Sequence, residues 1–192
     1  MISGRLAALS LALGVAAQPA AAQELAAGAL MRQLAAVESS RATFVETRHS
    51  ALLKEPLVLR GTLTYRRPAF LEKRVEQPYM ERMAIDGDVL TLETRRGRKL
   101  KTSASGSPGI AALVEGIRAT RAGDLAALER HYEVRVAGRA ERWSVTLKPV
   151  DAEVARYVTA MVFSGAAGRI ARVEVQEAGG GRSVMDISEE LK

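Results

Sequence analysis

The chain has 192 residues, enough for one domain with a real core, and its 47% hydrophobic content excludes a disordered chain. Aromatics make up only 4%, so broad platforms for stacking bases or sugars are excluded. The formal charge of +6 is scattered and mostly arginine, and with no cysteine there can be neither a disulfide nor an acylated cysteine anchor.

The N-terminus reads as a secretory leader. Arg5 gives a positive n-region, "LAALSLALGVAA" (6–17) is an apolar run, and Ala20-Ala21-Ala22 supplies an A-x-A cleavage site. The run is too short to span a bilayer as a helix. The expectation is cleavage after residue 22, a single mature domain over 23–192, and a soluble periplasmic protein.

"QELAAGALMRQLAAVESS" (23–40) carries Leu25, Leu30, Leu34 and Val37 at near-helical spacing and predicts an amphipathic helix. The period then changes to two. "ATFVETRH" (42–49) alternates. "LVLRGTLTY" (57–65) sets Leu57, Leu59, Leu63 and Tyr65 against Arg60, Thr62 and Thr64. "AFLEKRVE" (69–76) sets Leu71 and Val75 against Glu72, Arg74 and Glu76. Arg66-Arg67-Pro68 lies between these two runs. A proline has no N–H for a central ladder, so this tripeptide reads as the link between two antiparallel strands.

"ERMAI" (81–85) and "VLTLET" (89–94) flank Asp86-Gly87, a hairpin signal. "TRRGRK" (94–99) is the densest basic cluster; such a patch can bind nucleic acid or anionic lipid, but the favoured reading is a solvated hairpin turn around Gly97, leading into a short strand over 98–102. Export argues against nucleic acid as its partner.

"SASGSPG" (103–109) breaks the alternation and is a loop by composition. "IAALVEGIRAT" (110–120) has Ile110, Leu113, Val114 and Ile117 at i, i+3, i+4 and i+7, a helical stripe. "GDLAALERH" (123–131) predicts a second helix capped by Asp124. Alternation resumes at 132–136, 142–149, 156–165, 169–177 and 182–188, with "GAAG" and "GGG" among the tight links.

The sum is a mainly β, α+β chain of about eleven antiparallel strands with an N-terminal helix and a central helical pair. A meander of this length curls into an unclosed barrel with one apolar concave side. The central helices either plug the mouth of a cavity or complete an ordinary core, and the pattern leaves both open.

The motifs of chemistry are missing. His49 and His131 fall at element ends without matching acids. There is no H-E-x-x-H, P-loop, dinucleotide fingerprint or nucleophile elbow. "DGD" (86–88) has no further acidic ligands for calcium. The expectation is a protein that is not an enzyme, with no catalytic residues, metal or cofactor.

The ordered set "FVETR" (44–48), "GTLTYRRPAFLEKRVEQP" (61–78), "IDGDVLTL" (85–92), the helical pair, "WSVTLKP" (143–149) and "GRIARVEVQEAGGGRSVMDIS" (168–188) resembles the LolA-like family of periplasmic outer-membrane lipoprotein carriers. Arg-Pro, Gln-Pro and Asp-Gly-x-x-Leu in that order are its most specific part. The resemblance implies a helical lid over a hydrophobic cavity in an unclosed barrel. It implies an acylated lipoprotein or lipid cargo, and by analogy an inner-membrane exporter and an outer-membrane acceptor. The central segment 110–134 resembles LolA-like proteins encoded beside acyl-lipid synthesis and export genes.

By motif match Arg67 is the lid latch. Leu71 stands where the family has an aromatic, a departure that bears on cargo. The candidate cavity residues are Leu59, Leu63, Tyr65, Leu71, Ile110, Leu113, Val114 and Ile117, each equally able to be ordinary core. The competing reading is a periplasmic interaction or sensor module that binds a protein on the same curved sheet. Nucleic acid is not expected as a partner, and a monomer is.

Overall fold

The computed structural model describes residues 26–106 and 108–189, apart from the side chains at 108–110, 112, 113 and 189. The expected leader over 1–22 lies outside the described residues.

The chain begins with α1 (Ala27–Ala35), which buries Leu30, Met31 and Leu34. The helix is shorter than the 23–40 pattern suggested. Ser39 and Ser40 already belong to a strand and pair with Arg66 and Tyr65. Serine offers the backbone alternative hydrogen bonds and is a poor helix interior residue, so the ladder wins there.

The strands are β1 (Ser39–His49), β2 (Leu57–Arg66), β3 (Phe70–Gln77), β4 (Glu81–Asp86), β5 (Val89–Thr94) and β6 (Lys99–Ser103). A 3-10 turn (Ala104–Gly106) then leads into α2 (Pro108–Ala122) and α3 (Leu125–His131). The second half is β7 (Tyr132–Arg139), β8 (Arg142–Pro149), α4 (Ala152–Ala155), β9 (Val158–Ala166), β10 (Arg169–Glu177) and β11 (Arg182–Glu189).

All eleven strands form one sheet in the order β6-β5-β4-β3-β2-β1-β11-β10-β9-β8-β7. Neighbours pair antiparallel, and β1 joins the two halves by pairing with both β2 and β11. The sheet does not close: β6 and β7 are its two edges. They are also consecutive strands, so the segment between them must cross from one edge to the other. That segment is the 3-10 turn with α2 and α3, and it crosses on the concave side.

The largest core cluster lies under this crossing. Met161, Phe163, Val145 and Leu147 on the sheet pack against Leu30 and Leu34 of α1, Ala119 of α2 and Leu128 of α3. Trp143 is buried there and its indole Nε1 donates to the Ala167 carbonyl at 2.8 Å. Asp124 caps α3 as its sequence position predicts, its side chain accepting from the Ala127 N–H at 2.9 Å. Helix α4, which the sequence pattern did not suggest, is likewise started by Asp151, which accepts from Glu153 N–H at 2.7 Å.

Two glycines are required by close approach. Gly123, at φ +68°, turns α2 into α3 directly over α1, and a Cβ there would stand 2.0 Å from the Met31 carbonyl oxygen. Gly61 lies where the pairing of β2 and β3 shifts register. A Cβ on it would stand 1.8 Å from the Arg74 carbonyl oxygen. The obstacle is backbone, so the sheet itself must move. Gly61→Ala is therefore expected to lower stability by about 1–3 kcal/mol, as overpacking does. Urea unfolding followed by far-UV circular dichroism measures it; an unchanged midpoint would contradict the close approach.

Candidate functional site

The concave face is covered unevenly. On the β7–β10 side α1, α3 and the C-terminal half of α2 fill it. Toward β4 and β5, Val114 of α2 closes over Ile85 and Leu90, with Leu71, Met83 and Leu92 packed against them. Between the two lies a third cluster built from strands alone. Phe44, Leu59 and Val75 form it, with Leu57, Leu63 and Met185 only half-buried around them. Among the described residues no helix contributes to it.

The sequence-predicted cavity residues are thus divided. Leu59 and Leu63 belong to the strand-only cluster. Leu71 and Val114 belong to the cluster under α2. Ile117 packs against the main core. Tyr65 is buried under the Arg121 guanidinium, whose carbon is 5.1 Å from the ring centroid. The side chains of Ile110 and Leu113 lie outside the described residues. These positions share one face, but they do not form one wall.

The arginine of the Arg-Pro link has a definite partner. Arg67 Nη1 donates to the Ala35 carbonyl at 2.7 Å, and its backbone N–H donates to Glu38 O at 2.8 Å. The Arg67–Pro68 bond is cis. Ala35 ends α1, so this arginine holds α1, and α1 in turn packs on α2 and α3. Arg66 stacks on Phe70 at 4.3 Å. The arginine that ties α2 itself to the sheet is Arg121. It is only 6% exposed and donates to the Ser40 hydroxyl of β1 while covering Tyr65 of β2. Its place four residues after Ile117 puts it on the same inward stripe of α2, a signal that an arginine there is held in rather than solvated.

The floor of the trough holds a charge pair. Glu46 is 3% exposed on the face that carries Phe44, and its carboxylate accepts from Lys73, from Arg48 Nε at 2.8 Å and from Ser183 Oγ at 2.6 Å. The Lys73 ammonium also lies 5.1 Å from the Phe44 ring centroid. Alternation could have found it, because Lys73 falls between Leu71 and Val75 on the apolar side of β3.

Burial acts to raise the Glu46 carboxyl, but the charge of Lys73 and the hydrogen bonds from Arg48, Lys73 and Ser183 outweigh it and hold the group below its ordinary value. For Lys73, burial is the largest effect and pulls the ammonium below its ordinary value, with Glu46 opposing. The carboxylate has three kinds of donor around it, so ionised Glu46 is the better satisfied of the two.

At the end of the trough reached by the β1–β2, β3–β4 and β5–β6 loops there is a cavity of about 610 Å3. It is lined by Leu92, Leu100, Tyr79 and Met80, by Glu81 and Thr94, and by Arg95, Arg96, Arg98 and Lys99 from the β5–β6 hairpin and the start of β6. The volume lies within the roughly 300–1,000 Å3 of ordinary ligand pockets. Among the described residues no group of three or more His, Cys, Asp or Glu side chains is placed to hold a metal.

The lowered carboxyl of Glu46 fixes a pH dependence. Its folded value lies below the ordinary 4.5. Stabilisation is therefore present above that ordinary value and is lost as pH falls through the lower folded value. Glu46→Gln is expected to cost about 3 kcal/mol at neutral pH by leaving Lys73 buried without its counter-charge. It should also flatten the acid side of the stability profile. Urea unfolding of both proteins from neutral to acid pH measures this; parallel profiles would refute it.

The family model for the outer membrane lipoprotein carrier protein LolA-like proteins matches residues 17–183. A LolA superfamily protein of Nitrosomonas europaea has a similar fold at 12% identity and a TM-score of 0.48, over 88% of this chain and 94% of that one. The MucA/MucB complex of Pseudomonas aeruginosa contains another at 13% identity and a TM-score of 0.44, over 84% of this chain and 55% of that one. No curated protein matches significantly. The match over most of the sequence, on an unclosed eleven-stranded sheet crossed by helices, means that the chain belongs to the outer membrane lipoprotein carrier protein LolA-like family.

Proposed function

We propose that the protein is a periplasmic carrier that shields the acyl part of a lipoprotein or lipid while it moves toward the outer membrane. The observation that carries this reading is the strand-only cluster. Leu57, Leu63 and Met185 present half-buried apolar surface on the concave face where no described helix covers it. Each methylene laid on such a surface gains about 0.8 kcal/mol. Several suffice for micromolar binding after ordering costs. The family membership supports the same role, and the expected leader over 1–22 would supply the route of export.

A carrier must also release its load. In this reading α1, α2 and α3 are the movable cover, and Arg67 acts on them through α1. One guanidinium on one helix-end carbonyl is a tie that can be made and broken without disturbing a strand pair. Arg121, buried and bound to β1, is the firmer tie. Leu71 widens the floor where the family carries an aromatic.

The purified protein is expected to bind a long-chain acyl probe at about one equivalent, and organic extracts of it to contain acyl species by mass spectrometry. A protein that is empty, binds no probe and holds a stable protein partner would instead be an interaction module. Arg67→Leu is expected to leave far-UV circular dichroism unchanged and to alter the rate at which bound acyl probe passes to acceptor vesicles. An unaltered rate in the folded variant would remove Arg67 from the mechanism.

A further inference from the structure

The β5–β6 hairpin carries more charge than a turn needs. Arg95, Arg96, Arg98 and Lys99 fall within five residues around Gly97, whose φ of +71° makes the reversal. Several arginines elsewhere in the sheet are paired, Arg48 with Glu46, Arg82 with Glu72, Arg172 with Asp186 and Arg182 with Glu174. Among the described residues no ion pair joins Arg95, Arg96, Arg98 or Lys99 to a carboxylate. The nearest acid in the lining is Glu81, which lies in the field of Arg48.

These cations do not project from a bare turn. They line the 610 Å3 cavity together with Tyr79, Met80, Leu92 and Leu100. Met80 is 50% and Leu100 58% exposed, high for side chains of their size. Leu92 pairs with Leu100 and with Met83, and Met83 with Lys73, so this floor continues along the concave face to the trough. The cavity therefore has cations on one side and an apolar surface that leads inward on the other.

We infer that this groove seats the anionic headgroup of the carried molecule, a single amphiphile with a phosphate or carboxylate at the end of its acyl part. This rests on the carrier reading and assigns its cargo class. The planar forks of Arg95, Arg96 and Arg98 match phosphate and carboxylate oxygens. The acyl chain then follows Leu100, Leu92 and Met83 and passes over the stem of Lys73, whose ammonium is held by Glu46, toward Leu63. A zwitterionic headgroup gains less, because the hairpin repels its ammonium while binding its phosphate, and a neutral one gains nothing.

The test is calorimetric titration with monomeric myristoyl lysophosphatidylglycerol and myristoyl lysophosphatidylcholine, both below their micelle-forming concentrations. The anionic lipid should bind the wild-type protein about tenfold tighter or more, given three or four charge-assisted contacts at partly exposed sites. Raised salt should narrow the difference. In the variant Arg95→Gln/Arg96→Gln/Arg98→Gln the difference should vanish, with affinity for the choline lipid falling less than that for the anionic lipid and far-UV circular dichroism unchanged. Met80→Gln should weaken both lipids.

Equal affinities in the wild type, or a difference that survives in the triple variant, would overturn the headgroup assignment and leave the carrier standing. Inorganic phosphate binding as tightly as the anionic lipid would make this a free-phosphate site. Binding to phosphatidylglycerol vesicles without binding to monomers would make it a membrane-docking face. Either result overturns the inference. Failure of both lipids to bind would overturn the carrier reading together with it.

Discussion

The two edges of the sheet are consecutive strands, and everything on the concave side follows from that. Strands β6 and β7 lie at opposite ends of an eleven-stranded order. The chain between them has to cross the mouth of the curve, and it does so as apolar-striped helix. Connection and cover are therefore the same segment. Its reach is limited. With α1 it fills the β7–β10 side and it touches the β4–β5 region through Val114, and the strand-only cluster lies between.

A buried ion pair in that floor is not explained by stability alone, since apolar residues of similar volume often do as well. Its effect is positional. Glu46 is on β1 and Lys73 on β3, with β2 between them. Strands two apart are separated by about 9–10 Å, a span that a lysine and a glutamate can bridge over Leu59 and Leu63. The pair, extended by Ser183 on β11, ties four adjacent strands across the part of the face that helices leave free. Arg48 keeps the carboxylate satisfied from the open end.

Much of the fold was legible because its rules are local. Period-two runs located the strands, Asp124 its helix start, and Asp86-Gly87 and Gly97 their hairpins. Arg67 and Pro68 do lie in the link from β2 to β3, while Arg66 is the last residue of β2. What local rules could not supply was the partner of each side chain. Arg67 meets α1 rather than α2 or α3, because the chain reversal after α1 brings Ala35 beside the β2–β3 link. Arg121 lies one turn beyond Ile117 on the inward stripe, but its partners Ser40 and Tyr65 are set by where α2 crosses the sheet. Leu59, Leu63, Leu71, Val114 and Ile117 group together by pattern alone, yet curvature and unequal helix cover sort these five into three clusters. Val37 to Ser40 kept a helical spacing past the end of α1, where pairing with β2 decided the conformation.

Strand β6 is exposed along its whole length, with Lys99 and Lys101 on it and Arg98 just before it. An unpaired edge invites a second copy to add its own strand, and like charges at the rim oppose that. The hairpin is thus under two demands at once. Its cations guard the backbone of an open sheet against self-association, and the same charges face the groove beside it. A neutral hairpin would expose a sticky border as well as lose an electrostatic surface, so solubility and selectivity are set by one short stretch of sequence.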